Sequence, residues 1–267
     1  ILLGDFVTLD QGTGCVHIAP GHGMEDYILV LEHNAKASPG ERLEILAPVD
    51  NGGRFTDVVK EFAGQHVLKA NPKIVEFLQA NGRLLGHGSL NHSYPHCWRC
   101  KNPVIFRATE QWFVSMETND LRKEALAEID RVHWIPAYGR DRIKGMIENR
   151  PDWCLSRQRV WGVPIPGFTC TGCRFVLADP TVIEHLATLM ESKGADVWFE
   201  QSAADLLPKG TTCSKCGGAA FEKERDILDV WFESGVSYAA VLKSRKWWPA
   251  DLYLEGSDQH RGWFHSA

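Results

Sequence analysis

The sequence predicts an α/β protein whose first part is β-rich and whose second part carries a cysteine-bearing insertion. Three observations carry that reading. Strand-like apolar runs alternate with helical patterns after about Ala108. Two Cys-x-x-Cys pairs, Cys170 with Cys173 and Cys213 with Cys216, bracket a separate stretch. Near the end, Leu252-Tyr253-Leu254 reads as a short strand running into the polar turn Glu255-Gly256-Ser257-Asp258-Gln259. An open α/β sheet presents a ligand in that way, because groups just past a strand's carboxyl end face the crevice where helix N-termini converge.

From Ile1 to about Arg107, short strands are punctuated by turns such as Gly12-Thr13-Gly14, Gly21-His22-Gly23 and Asn51-Gly52-Gly53. One helix starts near Met24, and a second over Asn71–Gln79 has a capping Asn and a proline in its first turn. Next come a strand over Gln111–Ser115 and helices over Asn119–Ile129 and Gly139–Glu148, closed by Pro164 and Pro166. The insertion has one helix, Thr181–Lys193. After it, Ile227–Phe232 and Leu252–Leu254 read as strands of one sheet, joined by a helical segment over Gly235–Lys243. The expected divisions are 1–107, 108–166, 167–226 and 227–267. With no starting Met and a stop in mid-pattern at Ala267, the chain reads as a fragment of something larger.

At 267 residues and 44% hydrophobic content the chain can bury real cores. Ten tryptophans, several beside Arg, Gly or Pro, suggest pockets as well as core. A net charge of −5 gives no bulk attraction for nucleic acid, so any such site must be local. Arg140, Arg142, Lys144, Arg150, Arg157 and Arg159 form one basic cluster, which a solvated helix face explains about as well. No apolar run approaches membrane-spanning length and the N-terminus lacks the charged start of a signal peptide, so the expectation is a cytoplasmic protein with no membrane partner.

Cysteine spacing points to metal. Cys170, Cys173, Cys213 and Cys216 supply the four thiolates of a closed, structural Zn²⁺ site, with Gly172 and Gly217 in the two turns. Cys97 and Cys100 form a third pair and a half-site, which His92 or His96 could complete locally; a partner pair upstream of the chain explains it more simply. Cys15 and Cys154 read as buried structural thiols.

The run Asn149-Arg150-Pro151-Asp152-Trp153-Cys154-Leu155-Ser156-Arg157-Gln158-Arg159-Val160-Trp161-Gly162-Val163-Pro164 resembles the signature of class I aminoacyl-tRNA synthetases for branched aliphatic amino acids. Gly12 to Tyr27 looks like the core of their editing domain. Asp229-Val230-Trp231-Phe232-Glu233-Ser234-Gly235 and Tyr253 to Phe264 are similar to the isoleucine-specific members. Two positions depart from the pattern: Glu233 stands for the usual Asp, and Met24-Glu25 for Pro-Asp. The family's His-Ile-Gly-His and Lys-Met-Ser-Lys-Ser motifs are not in this sequence, so the chain alone is expected not to form aminoacyl-adenylate.

The resemblance implies part of a Rossmann-like catalytic domain with a zinc-bearing insertion, preceded by the C-terminal part of a β-rich editing domain. It implies isoleucine, ATP with Mg²⁺ and tRNA(Ile) as substrates, a monomer, and hydrolysis of mischarged Val-tRNA(Ile). Glu255, Gly256, Asp258 and Gln259 would line the adenylate pocket, with Trp231 and Trp263 as apolar walls. His17 and Asp26 would serve editing, His22 being a turn residue, and Arg157 and Arg159 would meet tRNA or ATP phosphates. Two other classes compete: a zinc-dependent hydrolase built on His17, His22 and Asp26, and a non-enzymatic zinc ribbon that binds RNA. The second would need a basic face, whereas the span carries Asp179, Glu184, Glu191, Asp196, Glu200 and Asp205.

Overall fold

Two units divide the chain in the computed structural model, Ile1–Glu110 and Gln111–Ala267, with residues 1–10 and 12–267 described. In the first unit, helix α1 (Met24–Lys36) has Glu25 and Asp26 in its first turn and His33 and Lys36 in its last, charges placed to suit the helix dipole. Helix α2 (Val67–Ala80) begins four residues before the expected Asn71. The imidazole of His66 accepts from the Leu68 amide as its cap, so Pro72 lies inside the helix, where it removes one backbone donor.

The expected strands of this unit do not form ladders among the described residues. Pairing is limited to the isolated bridges Val49↔Phe55, Arg54↔His66 and His96↔Pro103. Residues 43–48 are apolar apart from Glu44 but have no partner strand, and extended backbone becomes a strand only when a neighbour shares its hydrogen bonds.

In the second unit, β1 (Phe113–Val114) pairs antiparallel with β2 (Trp153–Cys154). Helices α3 (Leu121–Arg131) and α4 (Tyr138–Glu148) lie between them in sequence and pack through Ile129, Ile143 and Ile147. Arg122 reaches from α3 to the Ile147, Glu148 and Arg150 carbonyls, satisfying acceptors at the end of α4. Strand β3 (Ser156–Arg157) pairs with the later β7 (Ile227–Leu228), antiparallel.

Between β3 and β7 the chain folds a lobe on β4 (Phe168–Cys170), β5 (Val176–Leu177), α5 (Pro180–Lys193), α6 (Val197–Glu200), α7 (Ala203–Leu206) and β6 (Phe221–Lys223). The three strands form one antiparallel sheet in the order β5-β4-β6. Asp179 caps α5 through the Thr181 amide, Pro180 takes the first helical position and Gly194 ends the helix with a positive φ of 87°. Phe168, Leu186, Trp198 and Leu206 form its core, each 1% exposed or less. Lys223 donates to the Trp198 and Gln201 carbonyls, tying β6 to the end of α6.

The strand expected over Ile227–Phe232 stops at Leu228, because the Asp229 side chain accepts from the Trp231 amide and starts helix α8 (Val230–Gly235). A π-helical segment follows over Tyr238–Lys243. Leu252–Leu254 is extended with no ladder partner among the described residues. A 3₁₀ turn (Ser257–Arg261) and the short helix α9 (Trp263–Ser266) complete the chain, α9 packing on α8. The architecture is mixed α/β, and every named strand pair is antiparallel. No helix is long and apolar enough to cross a membrane among the described residues.

Candidate functional site

Strand-like Leu252–Leu254 delivers the chain into a turn whose polar groups are tightly linked. The Gln259 amide donates to Asp258 Oδ2 at 3.0 Å and accepts from the Trp263 backbone N–H at 3.1 Å. Trp263 Nε1 donates to the Ser234 carbonyl at 3.1 Å, fixing the turn against α8. The ring of Tyr253 stacks on Trp263 with centroids 3.5 Å apart and planes 13° apart. Trp231 comes from α8 to the same place: a Cβ on Gly262 would lie 3.1 Å from its indole and 2.2 Å from Gln259 Oε1. Gly262 therefore holds the turn closed by having no side chain.

Trp231, Asp258, Gln259 and Trp263 are thus brought together. Glu255, Gly256 and Asp258 are exposed along the same turn. The result is an aromatic wall beside carboxylates that can accept from hydroxyl or ammonium groups. Tyr253, Gly262 and Asp229 were not singled out as site residues from the sequence. Asp229 carried a legible signal, an Asp immediately before a helical run, that the apolar character of Ile227–Phe232 masked.

A second constellation lies in the lobe. Cys170, Cys173, Cys213 and Cys216 place their sulfur atoms all within 4.8 Å of one another. The Cys170–Cys216 and Cys173–Cys213 distances are 3.6 and 3.5 Å, close to the edge of about 3.8 Å that a tetrahedron with Zn–S bonds of ~2.3 Å requires. Each pair sits in the same backbone turn. The amide of Arg174 donates to the Cys170 carbonyl and that of Cys170 to the Phe175 carbonyl; Gly217 and Cys213 repeat this with Cys213 and Gly218. The residue after each pair has a positive φ, 59° at Arg174 and 73° at Gly217.

The thiols are split in acidity. A backbone hydrogen bond from Phe175 pulls Cys173 down, but burial and the three neighbouring cysteines outweigh it and push the thiol up to about 12. Burial pushes Cys213 up, and hydrogen bonds from the Cys216 and Lys215 amides and from its neighbours overcome this and bring it down to about 7. Four sulfurs this close cannot all ionise without a cation among them.

Cys97 and Cys100 adopt the same turn as the lobe's two pairs. Lys101 has φ 61°, its amide donates to the Cys97 carbonyl, and the Cys97 amide donates to the Asn102 carbonyl. Amides of Cys100 and Arg99 hold the Cys97 thiol below its usual range. The local completion does not assemble: His92 Nδ1 engages the Ser93 carbonyl and His96 Nδ1 the Tyr94 carbonyl. Among the described residues, the four lobe cysteines are the one convergent group of three or more metal-ligating side chains.

That finding also removes the hydrolase based on His17, His22 and Asp26, whose ligand atoms do not converge. Asp26 instead accepts from the Ala19 amide at 2.8 Å, and His22 Nδ1 engages the Phe106 carbonyl at 2.8 Å while its Nε2 is buried without a partner. His17 is exposed. Of the basic cluster, Arg140 and Lys144 both pair with Asp130, which fits a helix surface. Arg157 turns inward, donating to Asp229 and to the Cys154 and Ser156 carbonyls, whereas Arg159 donates to the Gln158 carbonyl and is exposed. Cys15 is exposed and Cys154 partly buried, so only the second keeps the character of a structural thiol.

Across residues 25–267 the sequence matches the family model described as tRNA synthetases class I (I, L, M and V), and the chain belongs to that family. That membership supports a Rossmann-like catalytic domain. Among curated relatives, the isoleucine–tRNA ligase of Geobacter sulfurreducens is 61% identical over the whole of this chain and 28% of its own length. Those of Persephonella marina and Thermotoga maritima are 59% and 52% identical over the whole chain and 29% and 28% of theirs. The chain therefore spans a little over a quarter of the length of these relatives.

Proposed function

We propose that the full-length protein containing this chain is an isoleucine–tRNA ligase, joining isoleucine to ATP as an adenylate and transferring the acyl group to tRNA(Ile). The observation that carries the reading is the assembly of Trp231, Asp258, Gln259 and Trp263 around one turn in a chain 61% identical to such an enzyme. Trp231 and Trp263 wall the isoleucine side chain. Asp258 accepts from the ribose hydroxyls, Gly256 lets the backbone approach the adenylate, and Gln259, with a free lone pair on Oε1, meets the substrate ammonium. Glu255 adds an acceptor on the exposed side of the turn.

Residues 1–107 are read as the C-terminal part of the editing domain. A missing methylene is worth only about 1–3 kcal/mol of discrimination, a limit for which isoleucine against valine is the standard illustration, so a second, hydrolytic site is needed. Asp26, at the start of α1, would pair with the free ammonium of mischarged Val-tRNA(Ile), and His17 would position ribose or water. Arg159 would meet phosphate.

Cys170, Cys173, Cys213 and Cys216 fit a structural Zn²⁺, which would cross-link the two turns of the lobe without taking part in the reaction. Cys97 and Cys100, held in the same kind of turn, supply two thiolates suited to a second such site.

In the full-length protein, Asp258→Ala should lower isoleucine-dependent exchange of pyrophosphate into ATP by roughly 10- to 100-fold, the worth of a hydrogen bond to a charged group. Unchanged exchange would remove Asp258 from the adenylate pocket.

A further inference from the structure

Asp229 is the only charged residue among the described ones that is fully buried, at 6% exposure, and the ligand site does not use it directly. Its carboxylate has three partners. Arg157 Nη2 donates to Oδ2 at 2.7 Å, Trp153 Nε1 donates to the same oxygen at 3.0 Å, and the Trp231 amide donates to Oδ1 at 3.2 Å. Those partners come from β3, β2 and α8. The Asp229 amide in turn donates to the Leu155 carbonyl at 2.7 Å. One side chain thus fastens the first turn of α8 to β2 and β3.

Buried carboxylates are costly unless fully paired, and this one is paired in a way that serves geometry. Arg157 is fixed by the Cys154 and Ser156 carbonyls as well as by Asp229, so its guanidinium is a rigid bracket. At its start α8 is held by Asp229, and near its end by Trp263 Nε1 on the Ser234 carbonyl. Trp231 lies between these two attachments, against Gly262. A change in the Asp229 attachment would therefore be carried along this six-residue helix to Trp231.

We propose that Arg157 and Asp229, with Trp153, are positioning residues that set the Trp231–Trp263 gap and thereby the discrimination between branched aliphatic side chains. This rests on the reading of Trp231 and Trp263 as walls for the amino-acid side chain. It gives Arg157 a role in side-chain choice instead of phosphate contact. None of the three needs to touch substrate. Their effect is carried by the placement of α8.

The test uses the full-length protein and amino-acid-dependent pyrophosphate exchange with isoleucine and with valine. Arg157→Ala should raise the KM for isoleucine and compress the isoleucine/valine ratio of kcat/KM by about 10-fold, with the KM for ATP unchanged, a part of the roughly 10- to 200-fold that a hydrophobic gap gives for one methylene. Arg157→Lys, which keeps the charge and loses the fork, should recover part of the ratio. Trp153→Phe removes only one donor and keeps the packing, so it should move the ratio the same way by a smaller factor even if Arg157→Ala folds poorly. An equal fall for both amino acids, with the ratio intact in all three variants, would overturn the proposal. So would unchanged exchange together with a raised KM for tRNA(Ile) in a parallel charging assay, which would return Arg157 to phosphate binding. If the unaltered protein shows no isoleucine-dependent exchange, the functional reading itself fails, a result distinct from either.

Discussion

Gly262 shows how one residue governs the site: the space where its Cβ would stand is already held by Gln259 Oε1 at 2.2 Å. Gly262→Ala must push the Gln259 amide away from the Trp263 N–H and crowd Trp231. In the full-length protein it should raise the KM for isoleucine by about 10-fold or more while leaving thermal stability within a few degrees, as pyrophosphate exchange and a melting curve would show. His265 makes a second prediction at this scale. Burial, with Arg150 and Arg261 nearby, brings its pKa down to about 4 from an ordinary 6.5. The folded form therefore binds fewer protons than the unfolded form between these values, so stability from this group is complete above pH 6.5 and is lost as pH falls toward 4. Denaturant titrations should give a shallower loss across that window for His265→Gln. An identical slope would show that the imidazole is not held neutral.

At the scale of elements, the lobe between β3 and β7 is the part whose stability should depend on a metal. Its hydrophobic core is small, and its strands have two or three residues each. Elemental analysis of the purified chain should find one zinc, lost when Cys213 and Cys216 are both changed to Ser. With the metal gone, the α5 helix and the Trp198 environment should loosen together, visible as lost helical and near-ultraviolet dichroism. Zinc that survives the double change would place it elsewhere. The four-cysteine cluster was legible because its ligand spacing is local, two residues within each pair. Helices α1, α3, α4 and α5 were legible for a similar reason, their periodicity and end residues being contained within one segment. What failed to read correctly was non-local. The strand at Ile227 ends where Asp229 caps a helix, and that choice is reinforced by Arg157 and Trp153 from far upstream. Residues 43–48 and Leu252–Leu254 look like strands by composition, but pairing depends on a neighbour that composition does not reveal. Pro72 was read as a helix start because proline favours first turns, whereas His66 supplies the cap one turn earlier.

For the whole molecule, Trp231, Asp258, Gln259 and Trp263, expected from the resemblance, lie around the Ser257–Arg261 turn together with Tyr253 and Gly262, which were not expected, and the relatives that match over the whole of this chain are isoleucine–tRNA ligases. Residues 1–267 alone are expected to show weak or no deacylation of Val-tRNA(Ile), since Asp26 is engaged by the Ala19 amide and His17 is exposed; robust hydrolysis by this chain would overturn that expectation. The most direct measurement is charging of tRNA(Ile) by the full-length protein with isoleucine, valine and leucine in parallel. Stable accumulation of Ile-tRNA(Ile), with valine activated but not retained and leucine not used, is the predicted result. Accumulation of Val-tRNA or Leu-tRNA in preference, or no charging by zinc-loaded protein with any of the three, would contradict it.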